Sequence, residues 1–299
     1  MKNKSEFVLR TMLFVPSHKQ DLIDKAITCK ADSLVLDLED SCRPNTNKIV
    51  GRRNIVNSLR SHPFGKKKVF VRINSRKTGF MFDDLCEVTV KELDGFLYPM
   101  AGSRDDLVFF DDMLTEIEMS RNLPIKGIKL FPVIETGEGI LNAHEIAKAS
   151  DRIVALGFGS EDFATDIDCI RDEENVSIQI ARQNIVFAAR SVGAIPVDTP
   201  HVNVHDIIGL ERHIKQARNL GFGGMQILHP KEIELCHQYY TPSDSEVDEA
   251  KDIVRLFDEA QQNNNGVAIM SGKFISPPTY KRAVQLIENQ GLIKSFERK

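Results

Sequence analysis

Short apolar runs alternate with longer amphipathic segments along this chain. The runs Met12–Val15, Ser33–Asp37, Lys68–Ile73, Gly95–Leu97, Lys129–Ile134, Ile153–Gly157, Ile195–Val197 and Gly224–Leu228 are too short for helices. Most are near-continuously apolar, the pattern of parallel strands buried on both faces. Between them, apolar residues recur at three- and four-residue spacing, as in Asp21–Cys29, Ile49–Leu59, Ile140–Ala149, Ser177–Val192 and His205–Leu220. Gly221 follows the last of these as a helix stop. Eight strand-then-helix units in 299 residues predict an α/β fold, a (β/α)8 TIM barrel. A doubly wound open sheet is the competing arrangement. Against it, no GxGxxG follows the first strand, and Gly157-Phe158-Gly159 lacks the third glycine of a dinucleotide fingerprint.

The pattern changes after Pro230. Glu232–His237 and Ser245–Gln262 read as helices, and Asn263-Asn264-Asn265-Gly266 breaks the chain. A short apolar run, Val267–Met270, then precedes Ser271-Gly272-Lys273 and a last helix over Pro278–Asn289. The expected organisation is a barrel over residues 1–230 and a C-terminal helical appendage over 231–299, a lid or an oligomer arm.

Composition narrows the function classes. Hydrophobic residues make up 41% and charged residues 27%, as in an ordinary globular protein. The formal charge of −4 offers no electrostatic case for nucleic acid or an anionic membrane, and Lys66-Lys67-Lys68 reads as a solvated turn. No apolar run approaches the roughly 18 residues of a membrane helix. The start, MKNKSEFVLR, lacks the apolar stretch of a signal peptide. Cys29, Cys42, Cys86, Cys169 and Cys236 are scattered and never form CxxC, so reduced thiols in a cytoplasmic protein are expected.

In a (β/α)8 barrel the C-terminal strand ends converge on one mouth, where polar residues read as functional. That filter selects Asp37-Leu38-Glu39-Asp40, Arg72 with Asn74, Glu135-Thr136, Gly157-Phe158-Gly159-Ser160-Glu161-Asp162, Asp198-Thr199 and His229-Pro230. Carboxylates dominate, and several around one mouth repel unless a cation or an arginine stands between them. Two carboxylates plus water and substrate oxygens suit a hard cation such as Mg²⁺, and Glu135 and Asp162 come from neighbouring strands. The glycines before Asp162 let backbone N–H groups approach an anionic substrate. Arg72 suits a substrate carboxylate, because its fork matches that geometry. Each residue also has an ordinary reading. Glu135 can partner a helix dipole, Asp37 or Asp40 can cap the next helix, and Arg72 can be a counter-ion to Asp37 or Glu39. His229 reads as structural and Cys42 as incidental.

As a set, the segments RTMLFVP (Arg10–Pro16), LDLEDS (Leu36–Ser41), VRIN (Val71–Asn74), IET (Ile134–Thr136), LGFGSED (Leu156–Asp162) and GFGGMQILHP (Gly221–Pro230), with Ala181-Arg182 and Ala188-Ala189, closely resemble the citrate lyase β-subunit family. These are CoA-ester lyases of the HpcH/HpaI aldolase superfamily. The resemblance spans nearly the whole chain, in the family's order. It implies a (β/α)8 barrel, a homo-oligomer (trimer or hexamer), Mg²⁺, and cleavage of a citryl-, citramalyl- or malyl-CoA type thioester, or its acyl-carrier equivalent, to a 2-oxo acid and an acyl thioester. It implies Glu135 and Asp162 as metal ligands and Arg72, Glu135 and Asp37 as catalytic residues. Substrate binding falls to Arg72, Glu135, Gly159, Ser160 and Glu161, while Asp37, Glu39 and Asp40 support the arginine and the metal's waters.

Two positions depart from the family pattern. Gly272-Lys273-Phe274-Ile275-Ser276 places Ser276 where the resemblance puts a proton-donating aspartate, and Pro99-Met100 stands where a Pro-Lys pair is usual. The alternatives to a thioester lyase are an aldolase of class II type on free 2-oxo or hydroxy acids, and a non-catalytic paralogue that binds a metal and an oxo acid.

Overall fold

The computed structural model describes residues 7–170, 176–263 and 267–298. Eight strands, β1 (Thr11–Pro16), β2 (Ser33–Asp37), β3 (Lys68–Arg72), β4 (Gly95–Tyr98), β5 (Lys129–Ile134), β6 (Ala155–Phe158), β7 (Ile195–Asp198) and β8 (Gly224–Ile227), form a closed barrel in sequential order. All neighbouring pairs are parallel, and β1 closes the ring on β8 with Met12 opposite Gln226. The TIM barrel expected from the eight units is therefore the observed fold, and the open sheet is not. Closure has a steric condition at Gly224, where a Cβ would lie 1.8 Å from the carbonyl oxygen of Leu9.

Each strand is apolar on both sides because both sides are covered. Met12, Val35, Phe70, Leu97, Phe131, Val133, Ala155 and Val197 pack into one buried cluster with Leu9. Alternate residues face the helices, as where Phe96 and Tyr98 of β4 meet Phe110 of the helix Arg104–Ser120 edge-on at 5.8 and 5.1 Å. Each such buried aromatic contributes roughly 1.5–3 kcal/mol of transfer free energy. The period of two then places the site. Asp37 lies two residues past Val35, Arg72 two past Phe70 and Glu135 two past Val133, so all three side chains share the face of the inner cluster at the C-terminal mouth.

Element boundaries differ from the expected ones in several places. The segment Ile140–Ala149 is two short helices, Gly137–Leu141 and Ala143–Ala147, because Asn142 turns its amide Nδ2 to the carbonyl of Gly102 at 2.9 Å. The strand expected over Ile153–Gly157 begins at Ala155 and ends at Phe158, with Ile153 making only an isolated bridge to Leu130. The helix at Glu232–His237 is a 3-10 turn, Pro230–Glu232, running into an α-helix, Ile233–Tyr240. Gly221 stops the helix Ile207–Leu220 in the left-handed conformation, φ 106°.

The chain divides into two compact units, with the first ending at His237 and the second beginning at Gln238. The first extends past Pro230 because His237 Nε2 lies 3.2 Å from both Thr11 Oγ1 and Asp32 Oδ1. Within the second unit, the helices Asp244–Gln262 and Pro277–Glu297 pack together, and Phe257 meets Tyr280 with ring centroids 4.5 Å apart. A two-stranded antiparallel pair, Ile269–Met270 with Lys273–Phe274, joins them. The chain break expected at Asn263–Gly266 begins at Asn263, the C-cap of the helix Asp244–Gln262, and its residues 264–266 lie outside the described residues.

Candidate active site

The mouth is organised around Arg72 at the end of β3. Its Nε and Nη2 each donate to Asp37 of β2 at 2.7 Å, a fork-to-fork pair across neighbouring strands in register. Its Nη1 stands 3.0 Å from Glu39 and 3.5 Å from Asp40. The Phe14 ring lies beneath the guanidinium, 5.0 Å from Cζ. Asp37 also accepts the backbone N–H of Glu39 and of Ser41 at 2.9 and 3.0 Å. It is fully buried, and although burial alone would raise its pKa, Arg72 and these donors hold it below the usual value.

Glu135, Glu39 and Asp162 go the other way. Glu135, past the end of β5, is pushed up to about 7, first by burial and then by the Asp162 and Asp40 carboxylates, against the Met100 N–H and Arg72. Glu39 rises to about 8 by burial, with Glu135, Asp40 and Asp37 adding to it against Arg72. Asp162 is raised by burial and by Asp40. One guanidinium does not neutralise this many acids. The mouth lacks positive charge, which a divalent cation would supply.

Glu135 is held for that task. Its Oε2 accepts the backbone N–H of Met100 at 2.8 Å, and Met100 is fixed in the left-handed region at φ 53°. On the opposite side it crosses Gly159, where a Cβ would come within 2.5 Å of Glu135 Cγ and Oε1. The absence of a side chain at Gly159 therefore makes room for Glu135. Among the described residues, no group of three or more His, Cys, Asp or Glu side chains is arranged to hold a metal. An ion held by Glu135 and Asp162 would complete its shell with water or ligand oxygens, as Mg²⁺ commonly does. The donor set fits a hard cation.

Other predicted residues take different places. The N–H of Gly159 is bound to the carbonyl of Ile134 and the N–H of Ser160 to Thr199 Oγ1, so neither amide is free to meet an anion as expected. Asp198 pairs with Arg182 and His213. His229 Nδ1 accepts the N–H of Lys231, capping the turn that follows. Cys42 is buried and its thiol is pushed up by burial and by Asp37. Asn74 is part of a buried chain that sequence reasoning missed. Lys48 Nζ binds the carbonyls of Leu38 and Glu39 at 2.9 and 3.3 Å and also Asn74 Oδ1, while Asn74 donates to Asp84, which Arg52 holds at 3.0 Å. A lysine in an amphipathic helix reads as solvated, so only the fold reveals it. Phe14 and the Met100 amide were missed as well, although Phe14 stands within RTMLFVP.

The sequence profile of the HpcH/HpaI aldolase/citrate lyase family matches residues 10–230. The chain belongs to the HpcH/HpaI aldolase/citrate lyase family. Citrate lyase subunit beta of Haemophilus influenzae is 31% identical over 280 residues, covering 93% of this chain and 96% of that protein. The L-malyl-CoA/beta-methylmalyl-CoA lyase of Cereibacter sphaeroides is 30% identical over 306 aligned positions, covering 96% of each. The crystal structure of CitE from Mycobacterium tuberculosis in complex with magnesium and pyruvate is 25% identical, with a TM-score of 0.66 over 81% of this chain and 94% of that one. Membership in the HpcH/HpaI aldolase/citrate lyase family agrees with the resemblance carried by the strand-end motifs.

Proposed function

We propose that this protein is a Mg²⁺-dependent carbon–carbon lyase acting on a 3-hydroxy dicarboxylic acyl thioester of the citryl-, citramalyl- or malyl-CoA type. The products are a 2-oxo acid and an acyl-CoA. The observation that carries this reading is one buried arginine at the barrel mouth, paired with Asp37 and close to Glu39, beside the Glu135 and Asp162 carboxyls that burial pushes up. The thioester lyases among its relatives and the magnesium and pyruvate bound by the M. tuberculosis protein support it.

In the reaction the 3-hydroxyl gives up its proton and the adjacent C–C bond breaks. Its electron pair stays with the thioester as an enolate, which then takes a proton at carbon. Mg²⁺ held by Glu135 and Asp162 would supply Lewis-acid stabilisation of the charge developing on the substrate oxygen. Arg72 binds the substrate carboxylate. Asp37 fixes the plane of its guanidinium and Phe14 supports it from below, and Nη1, 3.0 Å from Glu39, is the edge a ligand would share with that carboxylate. The Met100 N–H orients Glu135, leaving its second oxygen for the ion. The test is turnover of citramalyl-, malyl- and citryl-CoA with and without Mg²⁺. The expected result is Mg²⁺-dependent release of a 2-oxo acid, lost in Glu135→Ala. No turnover of any thioester by the folded protein overturns the reading.

Met100 favours a second reading. It is half-exposed after β4 and brings no positive charge for a CoA phosphate, so an aldolase acting on free 2-oxo acids is the alternative. Calorimetry with CoA against pyruvate and oxalate separates the two. We extend the leading proposal to a homo-oligomer, a trimer or hexamer, working in the cytoplasm, with the barrel function within residues 1–230 and an accessory segment over 231–299. Val176, Ile180 and Phe187 support the oligomer, because they form one exposed apolar stripe on the helix Val176–Val192. The five free cysteines suit a reducing compartment. Light scattering would check the oligomer; a monomeric mass would remove it.

A further inference from the structure

Asp162 sits in the first turn of the helix Ser160–Asp166, which has no side-chain cap of its own. A helix leaves its first four N–H groups without internal partners, and a side chain at the N-cap normally satisfies one of them. Here the N-cap is Gly159, which has no side chain to offer. A capping residue at position 159 would displace Glu135, because its Cβ would lie 2.5 Å from that side chain. The requirement for Glu135 thus removes the usual cap from the helix that carries Asp162.

Thr199, directly after β7, satisfies the first N–H of this helix from outside it. Its Oγ1 accepts the N–H of Ser160 at 3.1 Å and lies 2.9 Å from Ser160 Oγ, and both residues are buried, at 2% and 1% exposure. Thr199 is itself fixed from behind. Its N–H donates to Asp198 Oδ1 at 2.9 Å, and Asp198 is gripped by Arg182 and by His213 Nε2 at 3.1 Å. Gln226 of β8 ties the same corner together, donating to the carbonyls of Phe158 and Asp198 at 3.0 and 3.3 Å. The chain of contacts runs Arg182–Asp198–Thr199–Ser160 and ends two residues from Asp162.

We propose that Thr199 is a positioning residue for the metal site, holding the first N–H of the helix of Asp162 from the end of the neighbouring strand β7 where Gly159 offers no side-chain cap. The inference rests on the reading of Glu135 and Asp162 as metal ligands. Thr199→Val preserves shape and removes only the hydroxyl, leaving the Ser160 N–H buried and unsatisfied. Thr199→Ser keeps the oxygen.

The experiment is calorimetric titration of the whole protein with Mn²⁺, for wild type, Thr199→Val, Thr199→Ser and Asp162→Asn. Thermal unfolding and Ser160 amide exchange are followed alongside. The expected result is Mn²⁺ binding weakened roughly tenfold in Thr199→Val and close to wild type in Thr199→Ser, with Ser160 exchange accelerated only in the valine variant. Unchanged Mn²⁺ affinity in Thr199→Val, whatever its melting temperature, overturns the proposal, as does a serine variant as weak as the valine one. Asp162→Asn separates the two claims. If it abolishes binding while Thr199→Val does not weaken it, only the positioning role fails. If wild type binds no Mn²⁺, or Asp162→Asn leaves binding intact, the ligand assignment fails and the positioning role fails with it.

Discussion

Glu135 and Gly159 show how one side chain dictates the absence of another. Glu135 reaches its place by lying across Gly159, so Gly159→Ala sets a methyl 2.5 Å from its Cγ and Oε1. The alanine itself is tolerated by the backbone, because φ at Gly159 is −113°. The expected outcome is a folded protein with metal affinity reduced by roughly 10–100-fold. Titration with Mn²⁺ beside a melting curve checks it; unchanged affinity would mean that Glu135 is not a ligand or moves freely. Arg72 makes a different demand, since two of its nitrogens meet Asp37 in one plane. Lysine keeps the charge and loses the fork. Arg72→Lys is expected to lower kcat/KM by on the order of 10²-fold, the scale of a misplaced binding group, with most of the loss in KM for the acid substrate. Both residues were legible in the sequence from their strand-end positions. The Met100 amide that orients Glu135 was not, because a backbone N–H carries no residue signature and φ 53° at a methionine is set by tertiary structure.

At the scale of elements, the strands were readable because burial on both faces leaves little but apolar residues in them. Helix interruptions were harder to read: nothing in Ile140–Ala149 announces that Asn142 will bind Gly102 across a loop. The buried polar contacts between elements are the least legible, since Arg182 and Asp198 lie on different elements and meet only when β7 and the helix Val176–Val192 pack. That pair has a pH signature. Burial would raise the Asp198 carboxyl, but Arg182 and His213 outweigh it and hold it at about 2, against an ordinary 3.8. A depressed carboxyl contributes stability that is full above the unfolded value, near 4, and is lost as pH falls toward 2. The contribution is on the order of 2 kcal/mol. Asp198→Asn is expected to be less stable than wild type at pH 7, with the gap narrowing across pH 4 to 2. Urea midpoints measured across that range check this, and a gap that stays constant would show that Arg182 and His213 do not hold the charge.

At the scale of the whole molecule, the question is which group the chain offers to protonate the enolate. Its sequence resemblance implies a proton-donating aspartate at position 276, and this chain has Ser276. Ser276 has a structural task there: it caps the helix Pro277–Glu297, accepting the N–H of Thr279 at 3.3 Å. Aspartate caps helices about as well as serine, so Ser276→Asp leaves the helix start intact and tests chemistry alone. A serine hydroxyl is a poor acid, and a missing general acid typically slows a step by 10²–10⁴-fold. If the barrel breaks the C–C bond unaided, wild type turns over slowly, limited by protonation of the enolate. Ser276→Asp is then expected to raise kcat by about 10²-fold or more, with little change in KM, and to diminish the solvent deuterium isotope effect on kcat. Steady-state assays of both proteins in H₂O and D₂O decide the matter. Activity confined to the aspartate variant would favour a natural protein that binds metal and oxo acid without turning over. Equal rates would show that another group delivers the proton and that Ser276 is only a cap.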